Sequence, residues 1–188
     1  MKEKSSANNL SFSEPLNRGL VQVFTGDGKG KTSAALGVVL RAVGEGLRVY
    51  VVFFMKGDYP YGEFRMLPKL PNVHMDRFGF RTFTDPADVQ PEEKEQAKQA
   101  LAAAREAMLS GNYDMVVLDE INLAVAWNLV ELDKVARLVN DKPENVELVL
   151  TGRYANKEII RLADLVTECL KIKHPFDDGV FARRGIEY

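Results

Sequence analysis

Residues 25–34 read TGDGKGKTSA and lie between an apolar run, LVQVF, and a run with helical spacing, ALGVVLRAV. Glycine takes backbone angles that other residues avoid, so the three glycines allow successive amides to turn inward around an anion. A helix that starts at Thr32 would add free N–H groups and the positive end of its dipole. The stretch therefore predicts a phosphate-binding loop between a strand and a helix.

The usual phosphate-loop pattern is Gly, four residues, and then Gly-Lys-Ser/Thr. Gly30, Lys31 and Thr32 supply its second half, whereas Thr25 stands where the first glycine is expected and the glycine follows at Gly26. An exposed turn is the alternative, because Gly, Asp and Lys are common in turns. The strand before and the helix after favour the phosphate loop, in which Lys31 would neutralise a phosphate and Thr32 would ligate Mg²⁺.

A second motif, MVVLDE, ends in Asp119 and Glu120. Carboxylates at the end of a buried strand are costly unless they meet a cation. This is also the place of the second nucleotide-site motif, whose Asp holds Mg²⁺ directly or through water. An apolar run followed by Asp-Glu is a weak signal by itself, but together the two motifs indicate a Mg-nucleotide site.

The chain of 188 residues fits one domain, and its net charge of -2 argues against binding nucleic acid by bulk charge. Short β-rich runs alternate with helical patterns, which predicts an α/β fold with a parallel sheet of about six strands and helices on both faces. The predicted strands are residues 20–25, 48–54, 73–78, 115–119, 146–151 and 167–173. The predicted helices are residues 32–43, 91–110, 131–140 and 156–165.

The remaining segments predict how the chain is organised around this domain. Residues 1–17 are expected to be a flexible arm and residues 18–188 the domain. The long connections 54–71 and 79–90 should lie at the carboxyl edge of the sheet, where open α/β proteins bind ligands. The apolar runs are too short to span a bilayer, and we expect a cytoplasmic protein whose lone Cys169 is a buried small residue.

Longer stretches carry a more specific resemblance. They are RGLVQVFTGDGKGKTSAALG, RAVGEG, FFMKG with YPYGE following, YDMVVLDEIN, LTGRYANKEIIRLADLVTE and the ending KHPFDDGVFARRGIEY. With them the chain resembles, from about Arg18 to Tyr188, the ATP:corrinoid adenosyltransferases of the phosphate-loop type. Threonine at the start of the loop is itself a feature of that family.

The resemblance implies a single-domain RecA-like, P-loop NTPase-like fold and a homodimer. It implies a transferase that moves the 5′-deoxyadenosyl group of ATP to the Co(I) centre of a corrinoid and releases triphosphate, in adenosylcobalamin synthesis or salvage. The substrates are then ATP and cobalamin or another corrinoid, with Mg²⁺ or Mn²⁺ as the metal. A flavoprotein reductase would be a transient partner, and neither nucleic acid nor a membrane is expected.

The resemblance also implies roles for single residues, beginning with the loop that would hold the triphosphate. The expected binding residues of that loop are Thr25, Gly26, Asp27, Gly28, Lys29, Gly30, Lys31, Thr32 and Ser33. Lys31 and Glu120 are the expected catalytic residues, and Thr32, Asp119 and Glu120 the expected metal ligands. Lys56 and Arg153 follow strands and would contact phosphate or substrate, although long cations at such ends also often face water.

Two phenylalanines are candidates for contact with the corrinoid. Phe80 matches an aromatic residue that in family members stands beside the corrinoid and helps to displace its lower ligand. The family pattern Gly-Phe-Thr-Trp is replaced here by GFRTF, so Phe83 is either a second corrinoid contact or a packing residue. His74 and His174 are too few for a zinc site and are expected to be structural or surface residues.

Two other functions remain open at this point. A phosphate loop alone also fits an ATPase or a small-molecule kinase, in which Glu120 would position the nucleophile. A non-catalytic corrinoid or nucleotide carrier would bind ATP without turnover. Release of triphosphate rather than ADP and phosphate distinguishes the transferase from both.

Overall fold

Six parallel strands form one sheet in the computed structural model, which describes residues 16–82 and 84–188. The strands are β1 Val21–Thr25, β2 Val49–Phe53, β3 Val73–Arg77, β4 Met115–Asp119, β5 Glu147–Thr151 and β6 Leu165–Glu168. Their order across the sheet is β3-β2-β4-β5-β1-β6. The predicted arm lies outside the described residues except for its last two, and so does Phe83.

The middle of the sheet is buried on both faces, as expected when helices cover a parallel sheet. Every residue of β2, β4 and β5 is buried. The edge strands differ, because β3 is mostly exposed and all four residues of β6 are exposed. The strongest strand patterns in the sequence therefore belong to the centre of the sheet, and β6 has no apolar alternation by which it could be recognised.

Helices cover both faces of the sheet, which confirms the predicted α/β architecture. They are α1 Lys31–Gly44, α2 Glu63–Met66, α3 Pro91–Leu109, α4 Ile121–Ala126, α5 Leu132–Asn140 and α6 Lys157–Leu162, with 3₁₀ turns at Leu67–Lys69 and Pro175–Asp178. The apolar stripe of α1 packs on one face together with the α2 region. Helices α3 to α6 supply the core of the other face.

The predicted helix 156–165 and strand 167–173 are both displaced in the structure. Helix α6 ends at Leu162, and β6 already begins at Leu165. Asp164 explains the change, because its N–H donates to the carbonyl of Val21 at 2.9 Å and its carboxylate accepts the N–H of Val21 at 2.8 Å. These bonds let the pairing with β1 begin at Leu165, two residues before the expected strand. The connection 54–71 also differs from a plain loop, since it contains α2 and a 3₁₀ turn.

The sheet order brings together the strand ends that carry the two nucleotide motifs. Strand β5 lies between β1 and β4, and Phe24 pairs with Thr151 while Leu118 pairs with Leu150. On the other side of β4, Phe53 pairs with Asp119. The loop after β1 and the carboxylates after β4 therefore share one edge of the sheet, separated by the width of a single strand. Among the described residues, no helix is long and apolar enough to cross a membrane.

Gly19→Ala should destabilise the fold, because a Cβ atom there would lie 2.1 Å from the carbonyl oxygen of Val146. The backbone cannot easily move away, since the Gly19 N–H donates to the carbonyl of Glu144 at 2.7 Å. We expect the free energy of unfolding to fall by about 1–3 kcal/mol in urea denaturation, the usual cost of overpacking.

Gly37→Ala is the matched control, because Gly37 is exposed in α1 and a Cβ atom there meets nothing within 4 Å. The same substitution should raise the free energy of unfolding by about 1 kcal/mol through helix propensity. A Gly19→Ala protein as stable as the wild type would contradict the close packing at this position.

Candidate functional site

The loop after β1 owes its shape to glycine and to the chain that follows β6. Gly26 and Gly30 have φ angles of 95° and 111°, in the region that favours glycine. The N–H of Gly28 donates to the carbonyl of Cys169 at 2.7 Å, and a Cβ atom on Gly28 would lie 2.5 Å from the carbonyl oxygen of Leu170. The backbone at Gly28 is thus in direct contact with the segment after β6, and no larger residue fits.

Lys31 is the first residue of α1 and is buried, with 7% of its surface exposed. Its Nζ atom donates to the carbonyls of Gly26 at 2.8 Å and Gly28 at 2.6 Å. Burial lowers the pKa of Lys31, and the negative charge of Glu120 acts in the opposite direction. Because both bonded partners are neutral carbonyls, the positive charge of Lys31 remains available to an anion in the loop.

Asp119 lies at the centre of a buried network. Its Oδ2 atom accepts from Nζ of Lys56 at 2.6 Å, and its Oδ1 atom accepts from Oγ1 of Thr151 at 2.7 Å. The Thr151 hydroxyl also accepts the N–H of Glu120 at 2.9 Å. Burial alone would lower the pKa of Lys56, but the charges of Asp119 and Glu120 outweigh it and raise that pKa. Both carboxylate oxygens of Asp119 are therefore already bonded to protein groups.

Glu120 follows in a left-handed backbone conformation, with φ 66°, and is the residue before α4. Its Oε2 atom is buried and has no hydrogen-bond partner among the described residues. Burial and the neighbouring charge of Asp119 raise the pKa of Glu120, while Lys56 and Lys31 partly offset them. A buried carboxylate oxygen without a donor is the feature expected of a group that meets a cation from outside the chain.

A cleft of about 950 Å³ opens above these residues at the carboxyl edge of the sheet. It brings together nine of the residues predicted from the sequence. They are Gly28, Lys29, Gly30, Lys31, Thr32, Ser33, Lys56, Glu120 and Arg153. The phosphate loop and Glu120, which are far apart in the chain, thus line one cleft together with Lys56 and Arg153.

Some predicted residues do not line the cleft. Gly26 and Asp27 belong to the same loop but lie outside its lining, as does Asp119 with 1% of its surface exposed. The hydroxyl of Thr25 accepts the N–H of Ala155 at 3.2 Å, which gives it a bonding role in the fold. Phe80 also lies outside the lining, and 43% of its surface is exposed.

Other residues of the site gave no clear signal in the sequence. Thr151 ends β5, but its bonds to Asp119 and Glu120 depend on the strand order. The C-terminal segment, residues 174–188, supplies one side of the cleft, and Trp127 lines it as well. His174 lines the cleft as well. His74 has a structural contact, with Nδ1 2.8 Å from the hydroxyl of Tyr113.

Comparison with known proteins adds independent information. Residues 17–188 match the family profile described as ATP:corrinoid adenosyltransferase BtuR/CobO/CobP. The corrinoid adenosyltransferase of Escherichia coli (strain K12) is 39% identical over 174 residues, which cover 91% of this chain and 86% of that protein. The corrinoid adenosyltransferase CobA of Salmonella typhimurium (strain LT2) is 40% identical over 173 residues, with coverage of 91% and 86%.

Among solved structures, a KaiC-like protein from Pyrococcus horikoshii OT3 resembles this chain with a TM-score of 0.51 and 16% sequence identity. The similarity covers 81% of this chain and 74% of that protein. At this level of identity the likeness concerns architecture alone, and it supports the predicted P-loop NTPase-like fold.

Lys56→Met should destabilise the nucleotide-free protein, because Asp119 would keep a buried charge without its cation. Removing one partner of a buried pair typically costs about 3–5 kcal/mol, and guanidinium denaturation measures the loss. The double variant Lys56→Met/Asp119→Asn removes the charge as well and should recover at least half of that loss.

Lys171→Met is the control, because its 2.7 Å pair with Asp177 is exposed at the surface. Its effect should stay within about 1 kcal/mol. If Lys56→Met costs no more than Lys171→Met, the buried ion pair does not stabilise this edge of the sheet.

Proposed function

The chain belongs to the family of ATP:corrinoid adenosyltransferases, and on this basis we propose that it transfers the 5′-deoxyadenosyl group of ATP to the Co(I) centre of a corrinoid. Triphosphate is the other product. The observation that carries the proposal is the match over residues 17–188, which extends far beyond the two nucleotide motifs. The cleft supports it, because the phosphate loop, Lys31 and Glu120 all line one space.

The reaction requires one bond to form and one to break. An electron pair of Co(I) forms the bond to C5′ of the ribose, and the pair of the C5′–O bond leaves with the triphosphate. No proton moves in this step, so the protein needs no general base. Its contribution is to hold the two substrates in line and to stabilise the negative charge that develops on the leaving group.

The phosphate loop is suited to this task. The start of α1 offers free N–H groups and the positive end of a helix dipole, and Lys31 contributes a charge whose bonded partners among the described residues are neutral carbonyls. Arg153 lines the same cleft and would add a second cation to the triphosphate. We assign the role of the main triphosphate cation to Lys31, since Lys56 is already paired with Asp119.

The donor groups of the site fit a small divalent cation such as Mg²⁺ or Mn²⁺. Glu120 Oε2, which has no partner in the part of the chain that the structure describes, and the hydroxyl of Thr32, which lines the cleft, would hold it together with phosphate oxygens. The described residues contain no group of three or more His, Cys, Asp or Glu that could hold a metal by themselves. This agrees with binding through one carboxylate and the substrate, and bound there the cation would neutralise part of the triphosphate charge. Asp119 would then not be a direct ligand. It would hold Thr151, whose hydroxyl accepts the N–H of Glu120.

Phe80 is our candidate for contact with the corrinoid. The loops after β2 and β3 pack closely, since the Lys56 N–H donates to the carbonyl of Phe78 at 3.0 Å and a Cβ atom on Gly57 would lie 2.5 Å from the carbonyl oxygen of Gly79. Phe80 directly follows Gly79 and so lies close to Gly57, the neighbour of Lys56 in the chain. Of its surface, 43% is exposed. This position supports a contact with a large ligand outside the cleft. Phe83 stays a prediction.

We also propose a homodimer and a transient contact with a flavoprotein reductase that keeps cobalt reduced, as family membership suggests. The exposed edge strand β6 supports a protein contact, because Leu165 and Val166 are 46% and 39% exposed there. An unpaired edge with apolar side chains is a surface that proteins commonly cover.

The decisive assay mixes the protein with Mg-ATP and chemically reduced corrinoid. Absorbance follows the cobalt–carbon product, and chromatography identifies the phosphate species. We expect triphosphate in equal amount to the alkylated corrinoid. ADP and phosphate would indicate an ATPase or kinase, and ATP binding without alkylation would indicate a carrier; either result contradicts the proposal.

Lys31→Ala should lower the rate of product formation by about 100-fold or more, the usual effect of removing a group that stabilises transition-state charge. The assay above measures it as the initial rate of absorbance change. Lys134→Ala is the control, because Lys134 lies in α5 and pairs with Glu131 at 3.0 Å away from the cleft lining. Its rate should equal that of the wild type, and near-normal rates for Lys31→Ala would mean that the triphosphate lies elsewhere.

A further inference from the structure

The C-terminal segment, residues 174–188, forms one wall of the cleft whose opposite side is the phosphate loop. Its lining residues include Phe176, Val180, Phe181, Ile186, Glu187 and Tyr188. One continuous space therefore joins the loop that would hold the triphosphate to this segment. A nucleotide bound at the loop would extend from there into the rest of the cleft.

An ion pair and an aromatic contact at the end of the segment hold it against the phosphate loop and Tyr59. The carboxylate of Glu187 pairs with Nζ of Lys29 in the phosphate loop at 2.7 Å. It also accepts from the N–H of Arg183 at 2.7 Å and from the Arg183 guanidinium at 3.1 Å and 3.2 Å. Arg183 and Lys29 hold the pKa of Glu187 well below its ordinary value. The ring of Tyr188 packs edge-on against that of Tyr59, with the centroids 5.3 Å apart.

The apolar side chains of the same segment remain uncovered. Phe181 is 78% exposed, Ile186 is 70% exposed and Phe176 is 65% exposed, although all three line the cleft. Ion pairs hold the backbone in place without burying these side chains. Apolar groups kept at the wall of a cleft in this way are typical of a binding surface.

The charges of the cleft indicate which part of the ligand belongs on this wall. Lys31, Glu120 and Arg153 line its other parts, where a polyanion and a metal would be stabilised. On the wall, Glu187 carries a charge that Lys29 and Arg183 already neutralise. The wall thus offers flat and aliphatic surfaces with little free charge, which suits an aromatic base and not a phosphate.

The size of the cleft favours the nucleoside over the corrinoid. Its volume of about 950 Å³ falls in the range of roughly 300–1,000 Å³ that is usual for small-molecule sites. Phe80, the residue that we assign to the corrinoid, does not line it. The larger substrate would therefore meet the ribose from the mouth of the cleft.

We propose that residues 174–188 form the nucleoside-binding wall of the site, on which the base of ATP stacks against Phe181. The Glu187–Lys29 pair holds this wall against the phosphate loop and is a positioning contact. The proposal rests on the proposed function, because it takes the triphosphate to lie in the loop. The proposal assigns the base of the nucleotide to residues 174–188, which belong to neither nucleotide motif.

Phe181→Ala tests the wall, with titration calorimetry of the full-length protein against Mg-ATP and against Mg-triphosphate, both without corrinoid. Loss of base stacking should weaken ATP binding about tenfold, while binding of inorganic triphosphate stays within about twofold of the wild type. The mostly exposed position of Phe181 leaves no cavity, and an unchanged Tm would show that the variant is folded. Ile172→Ala is the control, because Ile172 is 92% exposed, precedes the same segment and does not line the cleft.

Glu187→Gln tests the contact that holds the wall. We expect several-fold weaker ATP binding without weaker triphosphate binding, since Lys29 loses its partner in the chain and becomes available to phosphate. Glu158→Gln is its control, because it makes the same substitution in a Glu–Arg pair of α6, with Arg161 at 2.6 Å, that lies outside the cleft lining. Both affinities should remain unchanged in that variant.

The other outcomes overturn the proposal in distinguishable ways. Equal losses of ATP and triphosphate binding in Phe181→Ala would mean that the segment supports the loop and does not bind the base. Unchanged ATP binding with a higher KM for the corrinoid would mean that the wall serves the other substrate. Unchanged values throughout would place the base elsewhere. A wild-type protein that fails to bind ATP would remove the proposed function and this inference together.

Discussion

Lys56 and Asp119 form a buried ion pair that joins the chain after β2 to the end of β4, and Thr151 extends the contact to the end of β5. A carboxylate that is 1% exposed is stable only while its partners remain in place, so these three strand ends are held in a fixed arrangement. The same network fixes Glu120, whose N–H donates to Thr151 and whose left-handed backbone precedes α4. The Glu120 carboxylate oxygen that has no partner among the described residues therefore depends on an ion pair of which only Lys56 lines the cleft.

The chain after β6 has two roles. Its backbone at Cys169 and Leu170 contacts Gly28 and so shapes the phosphate loop from one side. The continuation of this chain returns to the loop through Glu187, which pairs with Lys29. Loop and C-terminal wall are thus parts of one unit, and a ligand between them would contact both. The Glu187–Lys29 pair thus holds the two sides of the cleft at a fixed distance from each other.

The fold and the chemistry are determined at different levels. A phosphate loop on a parallel sheet supports many reactions, and the likeness to a KaiC-like protein concerns architecture alone. The similarity to corrinoid adenosyltransferases over nearly the whole chain is what restricts the reaction to adenosyl transfer. That reaction transfers no proton and releases a polyanion. The positive side chains of Lys31 and Arg153, which line the cleft, are consistent with this requirement.

The sequence by itself determined the α/β architecture, the first five strands and the place of both nucleotide motifs. Local patterns were sufficient there, because glycine spacing sets a loop and unbroken apolar runs such as residues 115–119 identify central strands. Only the tertiary structure decided the register of β6, the bonding of Asp119 to Lys56 and Thr151, and the position of residues 174–188. Each of these depends on contacts between residues far apart in the chain. Such contacts form only once the strand order has placed their partners side by side, so they leave no periodicity in the sequence.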